Sequence, residues 1–71
     1  MPRYVRRVKL RDFEQHLKRH DCYVRREGGG HTIYTNPANG KSAAVPRHTE
    51  IKTATLRRIC QVLDIPAPLT R

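Results

Sequence analysis

A histidine directly follows three consecutive glycines in this chain, and two arginines precede them. The segment reads Arg25-Arg26-Glu27-Gly28-Gly29-Gly30-His31-Thr32-Ile33-Tyr34. Glycine has no side chain to pack and loses the most backbone entropy on folding, so a glycine run predicts positive φ or close approach to a ligand. Backbone N–H groups in such loops bind phosphate, and histidine serves as general acid or base. The spacing therefore predicts chemistry on a phosphate at His31.

RNA is a substrate that a protein can cleave with so few catalytic groups. Its 2′-hydroxyl is the nucleophile, so cleavage needs a base for that proton, an acid for the leaving 5′-oxygen and donors for the developing charge. His31, the glycine amides and the paired N–H groups of Arg25 and Arg26 meet this requirement without a metal. An isolated strand histidine is more often structural or exposed than catalytic, and the arginines are equally compatible with a solvated basic strand.

A second histidine precedes the last predicted helix. His48 lies between Arg47 and Lys52, where a phosphate could also meet the N-terminus of that helix. His48 is thus either a second acid or base beside His31, or an ordinary surface residue. The residues expected to contact RNA phosphates are Arg25, Arg26, Gly28, Gly29, Gly30, Lys41, Arg47 and Lys52.

Other chemistries find little support in the chain. His16 and His20 are four residues apart with Cys22 nearby, but no fourth ligand has suitable spacing, so no metal and no cofactor are expected. A nucleophile elbow and a P-loop lysine are absent from the sequence. Tyr23 and Tyr34 suit either base stacking or packing between strands.

Length and charge restrict the function further. The chain has 71 residues and a formal charge of +9, from 15 Lys and Arg against six Asp and Glu. We therefore expect one domain over residues 1–71 and a polyanionic partner, with nucleic acid favoured over membrane. No signal peptide is recognisable, so a cytoplasmic protein is expected. Cys22 and Cys60 occupy apolar positions and are expected to be reduced core thiols.

Hydrophobic periodicity predicts two helices. Leu10, Phe13 and Leu17 mark one from about Lys9 to residues 20–21, after a basic lead-in over residues 1–7 that is partly extended through Tyr4 and Val5. The second has the apolar positions Leu56, Ile59, Cys60 and Leu63, with Thr53 and Thr55 as candidate caps. Pro66 and Pro68 should stop it and leave a short tail over residues 66–71.

Three strands are predicted between the helices. They cover residues 22–26, with Cys22 and Val24 facing inward, residues 31–35, and residues 41–45 closed by Pro46. Glycines 28–30 form the first turn and residues 36–40 the second, where Asn39-Gly40 supplies positive φ. Residues 47–52 are expected to be a polar loop. The result is an α+β fold of order α-β-β-β-α, with both helices on one face of an antiparallel sheet and the other face open to solvent or a partner.

Three segments in this order resemble the HicA toxins, also called YcfA-like proteins. They are the Arg26 to Tyr34 segment, then Val45-Pro46-Arg47-His48, then Lys52-Thr53-Ala54-Thr55-Leu56-Arg57-Arg58-Ile59, and the likeness extends from about Lys9 to Ile65. The resemblance implies a double-stranded-RNA-binding-like fold, an mRNA interferase that cuts RNA and arrests translation, and a cognate HicB antitoxin that masks the active site. The functional histidine of the family falls on His31 and that of its V-P-x-H segment on His48.

Two positions depart from the pattern of that family. Gly30 replaces the usual serine before the histidine, and Asp21 stands where a glycine commonly ends the first helix. The function expected is a metal-independent endoribonuclease that uses His31. The alternative is a non-catalytic RNA-binding module with the same basic surface. The RNA preference and the homo-oligomeric state stay open.

Overall fold

The computed structural model describes residues 7–68. The expected extended conformation at Tyr4 and Val5, nearly all of the basic lead-in and the last three residues of the tail lie outside these residues. In chain order the elements are β1 (Arg7–Lys9), α1 (Leu10–Arg19), β2 (Tyr23–Glu27), β3 (His31–Asn36), β4 (Lys41–Pro46), β5 (Glu50–Lys52) and α2 (Thr53–Leu63).

The first helix ends at a left-handed residue. In α1, Phe13 and Leu17 are fully buried, as their spacing predicts. His20 caps the helix and Asp21 follows with φ of 66°. Glycine adopts such a backbone most easily, but aspartate is among the residues that tolerate it. Asp21 therefore ends α1 in the left-handed conformation that a glycine would adopt most easily.

The α+β fold and its three-stranded meander are confirmed. The larger sheet has the order β2-β3-β4, antiparallel throughout. Tyr34 of β3 donates its hydroxyl to Glu14 of α1 at 2.9 Å, and Asn36 donates its side-chain amide to the Leu63 carbonyl of α2 at 2.8 Å. Since Tyr34 and Asn36 are two residues apart on one strand, both helices cover the same sheet face.

Val24 faces inward, as predicted, because it pairs directly with the buried Tyr34 on the sheet face that the helices cover, but it is not buried there. Val24 is 40% exposed and every residue of β2 is exposed, whereas Cys22 is buried just before the strand. The pairing with β3 shifts between Val24 and Arg26, which leaves Arg25 as an extra, bulged residue. The bulge interrupts the two-residue alternation beyond Val24, and Arg26 therefore pairs with Ile33 on the face away from the helices.

The polar loop predicted over residues 47–52 is partly wrong. Its second half is the strand β5, which pairs with β1 through Arg7↔Lys52, Val8↔Ile51 and Lys9↔Glu50. Because β5 continues directly into α2, the residue that caps this helix is Lys52 and it makes no side-chain capping bond. Thr53 and Thr55 lie inside the helix, so their predicted capping role is wrong.

A single cluster of buried side chains joins these elements. The predicted stripe of α2 is buried in it, and α2 ends before the prolines, at Leu63, with Asp64 left-handed at φ of 59°. Both cysteines are free and buried, as expected. Burial raises the pKa of the Cys60 thiol to about 11, and the Cys22 thiol adds to the shift. Within residues 7–68 no helix is long and apolar enough to cross a membrane.

Candidate active site

The glycine turn connects β2 to β3. Glu27 pairs with Thr32 at the end of the ladder, and the Gly28 N–H donates to the His31 carbonyl at 2.8 Å. None of the three glycines has positive φ, in contrast to Gly40 in the second turn, whose φ is 73°. Of the two reasons for a glycine run, positive φ therefore applies at Gly40, as predicted, and not at residues 28–30.

Close approach to a ligand is the reason that remains for Gly29 and Gly30. A Cβ atom built at either position has no neighbour within 4 Å, whereas one at Gly28 would lie 3.3 Å from the His31 carbonyl oxygen. The Gly29 and Gly30 N–H groups donate no hydrogen bond within residues 7–68. The fold does not require a bare backbone at these two positions, and their amides are available to an anion. The Gly28 amide, which was also expected to contact phosphate, is already bonded.

His31 opens β3 and is exposed. Ile33, two residues on, pairs with Ala44 on one side and with Arg26 on the other. Arg26 is therefore the diagonal neighbour of His31, at about 7–8 Å between backbones, which an arginine side chain can span. This face of the sheet is opposite the helices. A shallow depression of about 330 Å³ lies here, lined by Arg26, Gly28, Gly29, Gly30, His31, Ile33 and Ala44.

Arg47 has partners in the protein that the sequence did not indicate. Its Nη1 donates to the Gly28 carbonyl at 2.6 Å, and its Nη2 lies 3.7 Å from Oε1 of Glu27. Its backbone N–H donates to the Gly30 carbonyl at 3.1 Å. A charged hydrogen bond to a carbonyl is among the stronger kinds. Arg47 thus contacts the turn itself, although it was predicted to contact RNA.

His48 lies near His31 but in a different depression. Pro46 pairs with His31, and His48 follows two residues later, so at most about 13 Å separates the two Cα atoms. The depression of His48 has a volume of about 570 Å³ and is lined by Arg7, Pro46, His48, Thr49, Glu50, Ile51, Lys52 and Thr55. The two histidines flank the end of β4 and do not line a common depression.

The remaining predicted contact residues are dispersed. Arg25 is exposed at the bulge of β2, next to Arg26. Lys52 lines the depression of His48. Lys41 pairs with Asn36 at the opposite end of β3 from His31, about 17 Å away along the strand. Arg26 and the glycines are therefore the predicted contacts that the structure places beside His31.

The two tyrosines of the sheet have different environments. Tyr34 is buried, and burial together with its bond to Glu14 raises the pKa of its hydroxyl. Tyr23 is 49% exposed and pairs with Thr35, on the same face as Ile33 and Arg26. Packing is thus the role of Tyr34, and Tyr23 is exposed to a ligand on the open face. Within residues 7–68, no three His, Cys, Asp or Glu side chains are grouped as metal ligands are.

A family model described as the HicA toxin of bacterial toxin–antitoxin systems matches residues 10–65. The chain belongs to the HicA toxin family. The resemblance inferred from the three motifs is confirmed, and the match covers both helices and the larger sheet. No curated protein and no solved structure was found to match the chain.

Membership of the HicA family makes the chain a toxin of a toxin–antitoxin system, and an antitoxin partner follows from that. The matched region contains the glycine turn, His31 and His48. Gly30, where HicA-like sequences usually have serine, has open space around the position of a Cβ. The turn would accommodate the serine without rearrangement, so its absence removes a hydroxyl and leaves the backbone as it is.

Proposed function

We propose that this HicA toxin is a metal-independent endoribonuclease, an mRNA interferase that arrests translation, and that its active site is the depression beside the glycine turn. The observation that carries the proposal is the combination of an exposed His31 with two adjacent backbone amides, at Gly29 and Gly30, that have no acceptor within residues 7–68. Neither glycine is needed by the fold. A bare backbone with unbonded amides beside a titratable side chain suits a phosphate as ligand.

The proposed reaction uses the substrate's own nucleophile. His31 accepts the proton of a 2′-hydroxyl, and the 2′-oxygen forms a bond to the adjacent phosphorus while the bond from phosphorus to the 5′-oxygen breaks. The leaving 5′-oxygen takes up a proton, so the products are a 2′,3′-cyclic phosphate and a 5′-hydroxyl. His48, whose Cα lies within about 13 Å of that of His31, is our candidate donor of that proton, acting from the neighbouring depression.

The charge that develops on the phosphate needs donors. Arg26, the diagonal neighbour of His31, and the amides of Gly29 and Gly30 are the groups we assign to it. Donors fixed by the backbone need no reorganisation as the charge grows, and arginine matches phosphate oxygens with paired N–H groups.

The rest of the RNA would follow the basic surface. Arg25 contacts phosphates next to the reacting one, and Lys52 contacts them in the depression of His48. Contact at Lys41 falls about 17 Å from His31 and so involves nucleotides further along the strand. A formal charge of +9 gives this binding a strong dependence on salt.

We further propose that the antitoxin is of the HicB type and that it acts by covering the open sheet face. That face carries His31 and Arg26, and it also presents Tyr23 and Ile33, which give a protein partner apolar area to bury. The cytoplasm, where mRNA is translated, is the compartment in which we place both proteins.

The test is to incubate the purified toxin, freed of antitoxin, with a defined RNA in EDTA. We expect new ends that carry 2′,3′-cyclic phosphate and 5′-hydroxyl. The matched substrate has the same sequence with every 2′-hydroxyl methylated, and we expect it to be bound and left intact. Binding of the unmodified RNA with a steep salt dependence and no new ends would favour a non-catalytic RNA-binding module instead.

A further inference from the structure

Arg47 is bonded to the glycine turn through both its backbone and its side chain. The backbone N–H donates to the Gly30 carbonyl at 3.1 Å, and the guanidinium donates to the Gly28 carbonyl at 2.6 Å. A further guanidinium nitrogen lies 3.7 Å from the Glu27 carboxylate. Arg47 follows the last residue of β4, outside the hairpin that the turn closes. A residue from outside the hairpin therefore contacts three positions of the turn region, residues 27, 28 and 30.

The turn has little else to hold it. Three consecutive glycines lose more backbone entropy on ordering than any other residues and contribute no side-chain packing. Within the turn, the bond from the Gly28 N–H to the His31 carbonyl closes the hairpin. With the Gly28 and Gly30 carbonyls bonded to Arg47, the backbone that leads into His31 has a fixed course.

We propose that Arg47 is a positioning residue, which orders the turn so that His31 and the Gly29 and Gly30 amides face the same phosphate. The catalytic part of this statement rests on the proposed ribonuclease activity. Contact between Arg47 and RNA, which the sequence suggests, is disfavoured by the partners of its guanidinium. A phosphate would have to displace the Gly28 carbonyl and would meet the Glu27 carboxylate beside the same nitrogen atoms.

The charge-neutral double variant Glu27→Gln/Arg47→Gln separates positioning from phosphate contact. It removes one negative and one positive charge, so the net charge stays the same. Small displacements of a catalytic group cost large factors in rate, and we expect kcat for RNA cleavage to fall about 10- to 100-fold. The Kd for RNA and the slope of log Kd against log salt should stay within about twofold of the wild type.

Arg26→Gln is the control for the loss of a phosphate contact, and it should lower the salt slope, which the double variant should leave unchanged. Loss of one phosphate contact lowers the salt slope by about one. If the double variant also lowers the slope by about one and leaves kcat at saturating RNA unchanged, Arg47 is a phosphate ligand and the proposal is wrong. Arg47→Lys keeps the charge without the planar arrangement of donors, and we expect it to retain the salt slope and to cleave more slowly than wild type.

Hydrogen exchange of the Gly28 amide tests the positioning role without any activity. This amide is bonded to the His31 carbonyl, and loosening the turn should speed its exchange about tenfold in the double variant, while amides of α1 are unchanged. The ion pair is on the surface, with the Arg47 side chain 44% exposed, so its loss should leave the fold intact. Unchanged exchange at Gly28 refutes the role of Arg47. Faster exchange in a protein whose wild type cuts no RNA supports that role and refutes the ribonuclease.

Discussion

Gly29→Ala is expected to stabilise the folded protein and to slow its cleavage of RNA. A Cβ at this position meets nothing within 4 Å, and the backbone is not left-handed. Replacing glycine by alanine at a compatible site stabilises by about 0.4–1 kcal/mol, because the unfolded chain has fewer conformations to lose. For a domain of this size the same free energy raises the unfolding temperature by roughly 2–8 °C.

Gly40→Ala is the matched control. Gly40 also has no neighbour within 4 Å of a Cβ, but its φ is 73°. The left-handed backbone costs an L-residue about 1–2 kcal/mol, which exceeds the gain from the unfolded chain. We expect a net loss of about 1 kcal/mol, so the free energies of unfolding of the two variants should differ by roughly 1.5 kcal/mol. Urea unfolding at a single pH measures both.

RNA cleavage supplies the other half of this test. If a phosphate approaches the Gly29 amide, the added methyl group lies in its path, and cleavage should fall although the protein is more stable. A lower unfolding temperature for Gly29→Ala would refute the conformation assigned to the turn. A higher unfolding temperature with full cleavage would refute the inference that the substrate approaches the backbone there.

Two further predictions concern Gly30 and Cys60. Gly30→Ser should retain the fold, since a Cβ there meets nothing within 4 Å. The serine hydroxyl should speed RNA cleavage several-fold, which corresponds to about 1 kcal/mol from an added hydrogen bond. Slower cleavage by this variant would contradict the prediction. Because the pKa of the folded Cys60 thiol is raised to about 11 from an ordinary value of 9.0, the thiol ionises at lower pH in the unfolded chain than in the folded protein. The free energy of unfolding should therefore fall by at most about 1.4 kcal/mol per pH unit as pH rises between these values. Cys60→Ala should flatten that slope in urea titrations, and an unchanged slope would contradict the assignment.

The main elements could be predicted because their signals are local. The apolar stripe from Leu56 to Leu63 predicts a helix, and the Asn39-Gly40 pair predicts a turn between two strands, each from residues close together in sequence. The helix, the turn and its flanking strands are all present. The β1–β5 pair could not be found in this way, because Arg7 and Lys52 are distant in sequence and each strand has three residues. The alternation Glu50-Ile51-Lys52, with Ile51 buried, was the available signal.

At the candidate site, the sequence could predict which residue types are present but not which residues they bond to. A histidine after glycines marks the turn without further information, and the register places Arg26 beside it. The bulge at Arg25 and the bonds of Arg47 arise from the packing of β2, β3 and β4, for which no pattern of residue types is specific. A basic residue before His48 gave no indication that its guanidinium is bonded to a carbonyl and paired with Glu27.

The central claim is that His31 cleaves RNA, and one comparison tests it most directly. Purified wild type, His31→Ala and the control His20→Ala, which changes a histidine at the end of α1, are given the same RNA in EDTA and their cleavage rates measured. Because His31→Ala removes the acid–base group, we expect its cleavage rate to fall about 100-fold or more with unchanged RNA binding. His20→Ala should cleave RNA at the wild-type rate. Cleavage by His31→Ala at the wild-type rate would contradict the account.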